Sequence, residues 1–191
     1  MTDSALADHA ASERPSRRAL LGAGIVGAAL ALAGPRPASA ASGLSDSDVA
    51  TASFAMSIEL TARDLYDAAI AAGATDTLWT IMREQHEAYA QRLAGITGVP
   101  ASGRNDAVYD ELAEAFGTDR PASAAFDLEN VAAATHIELV AAVDSIDIAA
   151  ALASFASIES RHATVLASLA GNGDDFDALF LNAATALTPG A

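Results

Sequence analysis

Five potential metal ligands, Glu59, His86, Glu129, Glu159 and His162, recur at matching places in two stretches of this chain. In the first, Glu59 precedes Tyr66 by seven residues, and Arg83-Glu84-Gln85-His86 is followed by Leu93-Ala94-Gly95. In the second, Glu129 precedes His136 by seven residues, and Glu159-Ser160-Arg161-His162 is followed by Leu169-Ala170-Gly171. Carboxylate oxygens and imidazole nitrogens are donors for iron, manganese or zinc, and a sulfur-free set does not choose among them. The chain has no cysteine, which excludes disulfides, thiolate metal sites and cysteine nucleophiles. It also lacks a Gly-x-Ser-x-Gly motif, and no residue stands out as catalytic.

Helical phase decides which of these groups point inward, since residues three, four and seven apart share a face. Glu59 lies with Ala52, Met56, Ala62 and Tyr66; His86 lies with Trp79, Met82, Tyr89 and Leu93; Glu129 lies with Phe126, Ala133, His136 and Val140. Glu159 and His162, amid Phe155, Ile158, Leu166 and Leu169, face the core as well. Glu84 falls on the opposite side of its helix, beside Thr77, Thr80, Glu87 and Gln91. The residue at the Glu-x-x-His spacing from His86 is therefore Arg83, a cation where a carboxylate would complete the pattern. Buried carboxylates cost several kcal/mol each when unpaired, so these three must be coordinated, ion-paired or protonated. One solution is a metal. The other is a salt-bridge cluster in which Arg83, with Arg63 one turn beyond Glu59, holds the glutamates while neutral histidines bond to them.

The elements needed to position this set are four long helices. Ser45 to Ser47 cap a first helix running to about Ala72 and stopped by Gly73; Thr75 or Asp76 caps a second, which ends near Gly95 or Gly98. A crossover from Ala101 to Arg120 contains a short acidic helix over Asp106 to Phe116. Pro121 suits the first turn of a third long helix, ending near Val143, and the fourth runs to Ala170 before Gly171. Short, long, short connections imply an all-α fold, a four-helix bundle of two antiparallel hairpins joined by the crossover. The tail, residues 172–191, is read as one more short helix packed by Phe176, Leu179 and Phe180.

The first forty residues read as an address. Arg17-Arg18 opens an apolar run through Ala33, and Ala38-Ser39-Ala40 offers a small-residue cleavage pattern, so the mature chain begins near Ala41. The segment resembles a twin-arginine signal, which implies passage through the twin-arginine export machinery and an exported location in the periplasm, envelope or medium. With that segment removed no membrane span remains. The chain contains no lysine; after residue 40 six arginines face 22 acidic residues, a formal charge of −16. Such a balance argues against nucleic acid and against anionic membrane surfaces as partners, because both need clustered Lys or Arg.

Glu59, His86, Glu129 and the complete Glu159-x-x-His162 pair, in two phased hairpins over residues 45–171, resemble the ferritin-like superfamily, and with the export signal they resemble its exported bacterial members. The resemblance implies a site for iron or manganese, and activity on Fe(II), oxygen or peroxide. It implies that Glu59 and Glu129 are single-carboxylate ligands or bridges, that Glu159 and His162 form one motif pair, and that His86 is the surviving half of the other. His136 is then a donor to a ligand or an alternative ligand, and Tyr66 takes its place in the first hairpin as a packing residue. Counting Arg83 inside, three glutamates leave the cluster at −2, which balances one divalent ion per chain and not two. The competing reading is a metal-free helical module with a structural, stress-protective or envelope-interaction role. Assembly into an oligomer is compatible with either.

Overall fold

A computed structural model describes residues 43–189; the segment read as an export signal, residues 1–40, lies outside the described residues. All regular structure among the described residues is helical: α1 (Asp46–Ala71), α2 (Thr77–Thr97), α3 (Asp106–Phe116), α4 (Ala122–Ala142), α5 (Ile146–Leu169) and α6 (Phe176–Phe180). Local chemistry sets the boundaries. Ser45 Oγ accepts from the Asp48 N–H at 3.0 Å and Ser145 Oγ from the Ile148 N–H at 3.4 Å, so α1 and α5 both start on serine caps. α2 stops at Gly98, whose φ of +74° is a left-handed conformation that a residue with a Cβ rarely adopts.

α1 packs on α2 and α4 packs on α5, giving two helical hairpins; α1 also touches α4, and α2 touches α5. α3 crosses from one hairpin to the other and lies against α1 and α4. Its one fully buried side chain, Phe116, meets the Tyr66 ring edge-on at 5.6 Å. Two apolar clusters result. One gathers Tyr66, Trp79, Phe116, Leu128 and Leu166. The other gathers Met56, Leu93, Leu139, Ile148, Leu152 and Phe155. Each long helix contributes to both, and the polar residues of interest lie between those contributions.

The tail departs from expectation. α6 is only five residues long, and Phe176 and Phe180 are 73 % and 77 % exposed, stacked on each other at 6.3 Å and not packed into a core. The chain after it is extended and lies along α4, where Asn182 Nδ2 donates to Asn130 O at 2.8 Å and the Leu187 N–H donates to Thr135 Oγ1 at 2.9 Å. Those bonds hold the tail to α4 by its backbone and side-chain amide, so its aromatic rings are not required for docking.

Candidate metal centre

Glu59 from α1, His86 from α2, Glu129 and His136 from α4, and Glu159 and His162 from α5 form one buried polar layer. His86 is at its centre, donating from Nδ1 to Glu59 Oε2 at 2.7 Å and from Nε2 to Glu129 Oε1 at 3.1 Å. Tyr66 donates to the same Glu129 Oε1 at 2.5 Å. His136 donates from Nδ1 to Glu159 Oε2 at 2.8 Å, and its Nε2 lies 3.2 Å from Glu59 Oε1 without hydrogen-bond geometry. His162 donates from Nε2 to Gln85 Oε1 at 2.5 Å and turns Nδ1 toward Glu129 Oε2, 3.2 Å away and again unbonded.

Electrostatics follow from burial and proximity. Burial alone would lower the His86 pKa, but the Glu129 and Glu59 carboxylates overcome it and hold the imidazole charged well above its usual range. Burial would raise the Glu129 pKa; the charge and hydrogen bond of His86 beside it reverse this and hold it well below the usual carboxylate range. His136 is also raised, the Glu159 and Glu59 charges outweighing burial. Glu159 is pushed up to about 7, first by burial, which the His136 contacts only partly offset while the Glu59 and Glu129 charges add to it. Burial, then Glu129, keeps the Tyr66 phenol protonated and so a donor.

The donor atoms converge as two trios, His86 with Glu129 and His162, and Glu59 with His136 and Glu159; within each, one ligand atom per residue lies within 4.8 Å of the others. Five buried polar atoms of this layer have no hydrogen-bond partner: Glu59 Oε1, Glu129 Oε2, Glu159 Oε1, His136 Nε2 and His162 Nδ1. Each such atom costs about 1–3 kcal/mol if left unsatisfied. With Nε2–H of His162 donated to Gln85 Oε1, Nδ1 is the ring nitrogen that faces Glu129 Oε2, and a cation between the two would bind both. The residues therefore fit a divalent ion with oxygen and nitrogen ligands.

Arg83 requires a correction. It is half-buried at the hairpin surface, where Nε donates to Asp67 Oδ1 at 3.1 Å; it neither lines the layer nor neutralises it. Three residues before His86 is 60° off that side chain's direction, at the edge of the inward stripe, and a long guanidinium there extends to water instead of losing its hydration. Arg63 likewise pairs outward, with Asp64 at 2.6 Å and Glu87 at 2.8 Å. Glu84 is exposed, as its phase requires. The charge role assigned to Arg83 falls to the histidines, and His136 occupies the layer fully. Gln85 was missed because it adjoins His86 in sequence, and its contact with His162 depends on how α2 meets α5; its one signal is a shared α2 face with Met82 and Tyr89.

No curated protein matches this chain, and neither does any solved structure. The ferritin-like domain family matches over residues 47–172, which takes in the four long helices but for Asp46, and every residue of the polar layer. On that match, the chain belongs to the ferritin-like domain family.

Proposed function

We propose that this chain is an exported ferritin-like protein, a four-helix bundle that binds iron or manganese in the layer of Glu59, His86, Glu129, His136, Glu159 and His162. The observation that carries this reading is the set of five partnerless buried atoms, all of them belonging to residues of the two trios. A bound iron or manganese ion would supply electron-transfer chemistry toward oxygen or peroxide. The chain's own residues then divide the work. Glu129, fixed by Tyr66 and His86, offers its second oxygen; Gln85 fixes which nitrogen of His162 is free; Glu159 sets the tautomer and ring plane of His136. With Arg83 outside, the three carboxylates carry −3 and not −2 once the histidines give up their protons to act as ligands, so the restriction to one ion loses its charge basis and each trio offers a position.

Export by a twin-arginine route is supported by Arg17-Arg18, the apolar run and Ala38-Ser39-Ala40. Among the described residues no helix is long and apolar enough to cross a membrane. A second reading, a metal-free helical module, is favoured by one observation: both nitrogens of His86 are already bonded to carboxylates. Elemental analysis of the full chain isolated from metal-replete cells distinguishes them. Iron or manganese lost on His162→Ala supports the metal centre, and a metal-free, cooperatively folded wild type supports the module.

A further inference from the structure

The polar layer is closed off unequally. The seam where α1 meets α4 is covered by α3, whereas no described helix packs comparably across α2 and α5 together. Exposure follows this difference: His162 is 8 % exposed, against 1 % for His86 and 0 % for Glu59, Glu129, His136 and Glu159. The layer therefore comes nearest to water at His162, on the uncovered seam. One side chain of α2 reaches it there. Gln85, half-buried, accepts the Nε2 proton of His162 on its amide oxygen at 2.5 Å.

The seam differs on the two sides of this bond. On one side the Tyr89 ring, four residues past Gln85, stacks on Phe155, seven before His162, with centroids 4.4 Å apart, and closes the gap. That pairing means that α2 and α5 run antiparallel, so on the other side the bond is flanked by Ile81, four residues before Gln85, and Val165, three after His162. Both are exposed. Behind the bond lie two of the layer's partnerless atoms, His162 Nδ1 and Glu129 Oε2, 3.2 Å apart. A cation arriving from water beside Ile81 and Val165 meets Gln85 first and these two atoms next. The Gln85 amide oxygen, once His162 releases it, is itself a donor suited to a hard cation.

We propose that metal ions enter and leave the layer through the α2–α5 seam, with the Gln85–His162 hydrogen bond as the latch on that route. The proposal rests on the metal-binding reading of the layer. Opening exchanges one hydrogen bond for bonds to water, so the latch slows passage without forbidding it. Gln85 is also a positioning residue, since it holds the His162 ring with Nδ1 inward, and the two roles separate in kinetics. Loss of positioning alone speeds release and leaves entry unchanged, whereas loss of a latch speeds both. Stopped-flow absorbance of Co(II) binding to the full chain, stripped with a chelator that is then removed, gives the entry rate; transfer of Co(II) from loaded protein to excess chelator gives the release rate. Gln85→Ala should raise entry about five- to tenfold, the worth of one hydrogen bond, and release by at least as much. Gln85→Met keeps the length of the side chain but not its acceptor, and should raise both as well. All three side chains are neutral, so long-range attraction of the cation is the same in each. Phe116→Leu, which loosens the α3 cover over the other seam, should lower stability and leave entry unchanged. A wild type that binds no Co(II) would remove the metal centre and the latch together. Co(II) binding whose entry rate is unmoved by one or both Gln85 substitutions, or is raised by Phe116→Leu, would overturn the latch alone.

Discussion

Glu129 accepts from Tyr66 and His86 through one oxygen and faces His162 at 3.2 Å with the other. Glu129→Gln would leave the His86 imidazolium with one carboxylate instead of two. In chelator it should destabilise the protein by about 3–5 kcal/mol, the range for breaking a buried ion pair, as read from chemical denaturation. Arg83→Ala is the contrasting case: loss of an exposed pair with Asp67 should change stability by no more than about 1 kcal/mol and leave metal content unaltered. A fall in bound metal, or a rise toward twice as much, would return Arg83 to the cluster. At this scale the sequence is informative where a side chain is short and its phase central. Glu59, His86, Glu129, Glu159 and His162 all lie on inward stripes, and all are buried. It is less informative for Arg83, whose long side chain at a stripe's edge chooses its surroundings, and for Tyr66, which reads as packing yet donates to a carboxylate 63 residues away.

The helices themselves were legible because their punctuation is local. Ser45, Gly98 and Ser145 mark ends by cap chemistry that needs no tertiary contact, and α3 occupies the span its acidic, apolar pattern suggests. The tail was not, since Phe176 and Phe180 suggest packing in sequence, while the contacts that hold the segment are hydrogen bonds to α4. One tertiary bond of this kind has a pH signature. Asp48, in the first turn of α1, accepts from the Asp144 N–H at 2.9 Å and the Ser145 N–H at 3.4 Å, tying α1 to the turn between α4 and α5. Burial would raise its pKa, but these bonds and those with Ser45 prevail and lower it. A lowered folded-state pKa contributes stability that is present above the unfolded value, near 3.8, and is lost as pH falls through the folded one. Asp48→Asn should therefore lower the melting temperature at neutral pH and flatten its decline on acidification below pH ~4. A parallel decline in both proteins would contradict this role.

Across the whole molecule, two sequence-related hairpins place their inward residues in one layer between two apolar clusters, and the layer is not symmetric. Where the second hairpin has His136 and Glu159 bonded to each other, the first has Tyr66, bonded to Glu129, and Arg83, turned outward. The repeat was visible in sequence; the consequence of its asymmetry was not, because it depends on which hairpin each donor reaches across to. Replacing both Glu159 and His162, as Glu159→Gln with His162→Ala, removes one member of each trio and should abolish metal binding, whereas Tyr66→Phe should keep it while lowering stability by about 1–3 kcal/mol. The most direct measurement is the metal content per chain, by elemental analysis, of wild type and of the Glu159→Gln/His162→Ala variant from metal-replete cells, both checked for cooperative melting. Iron or manganese in wild type and none in the variant is the predicted result. A wild type without metal, or a variant that retains it, would contradict the buried layer as a metal centre.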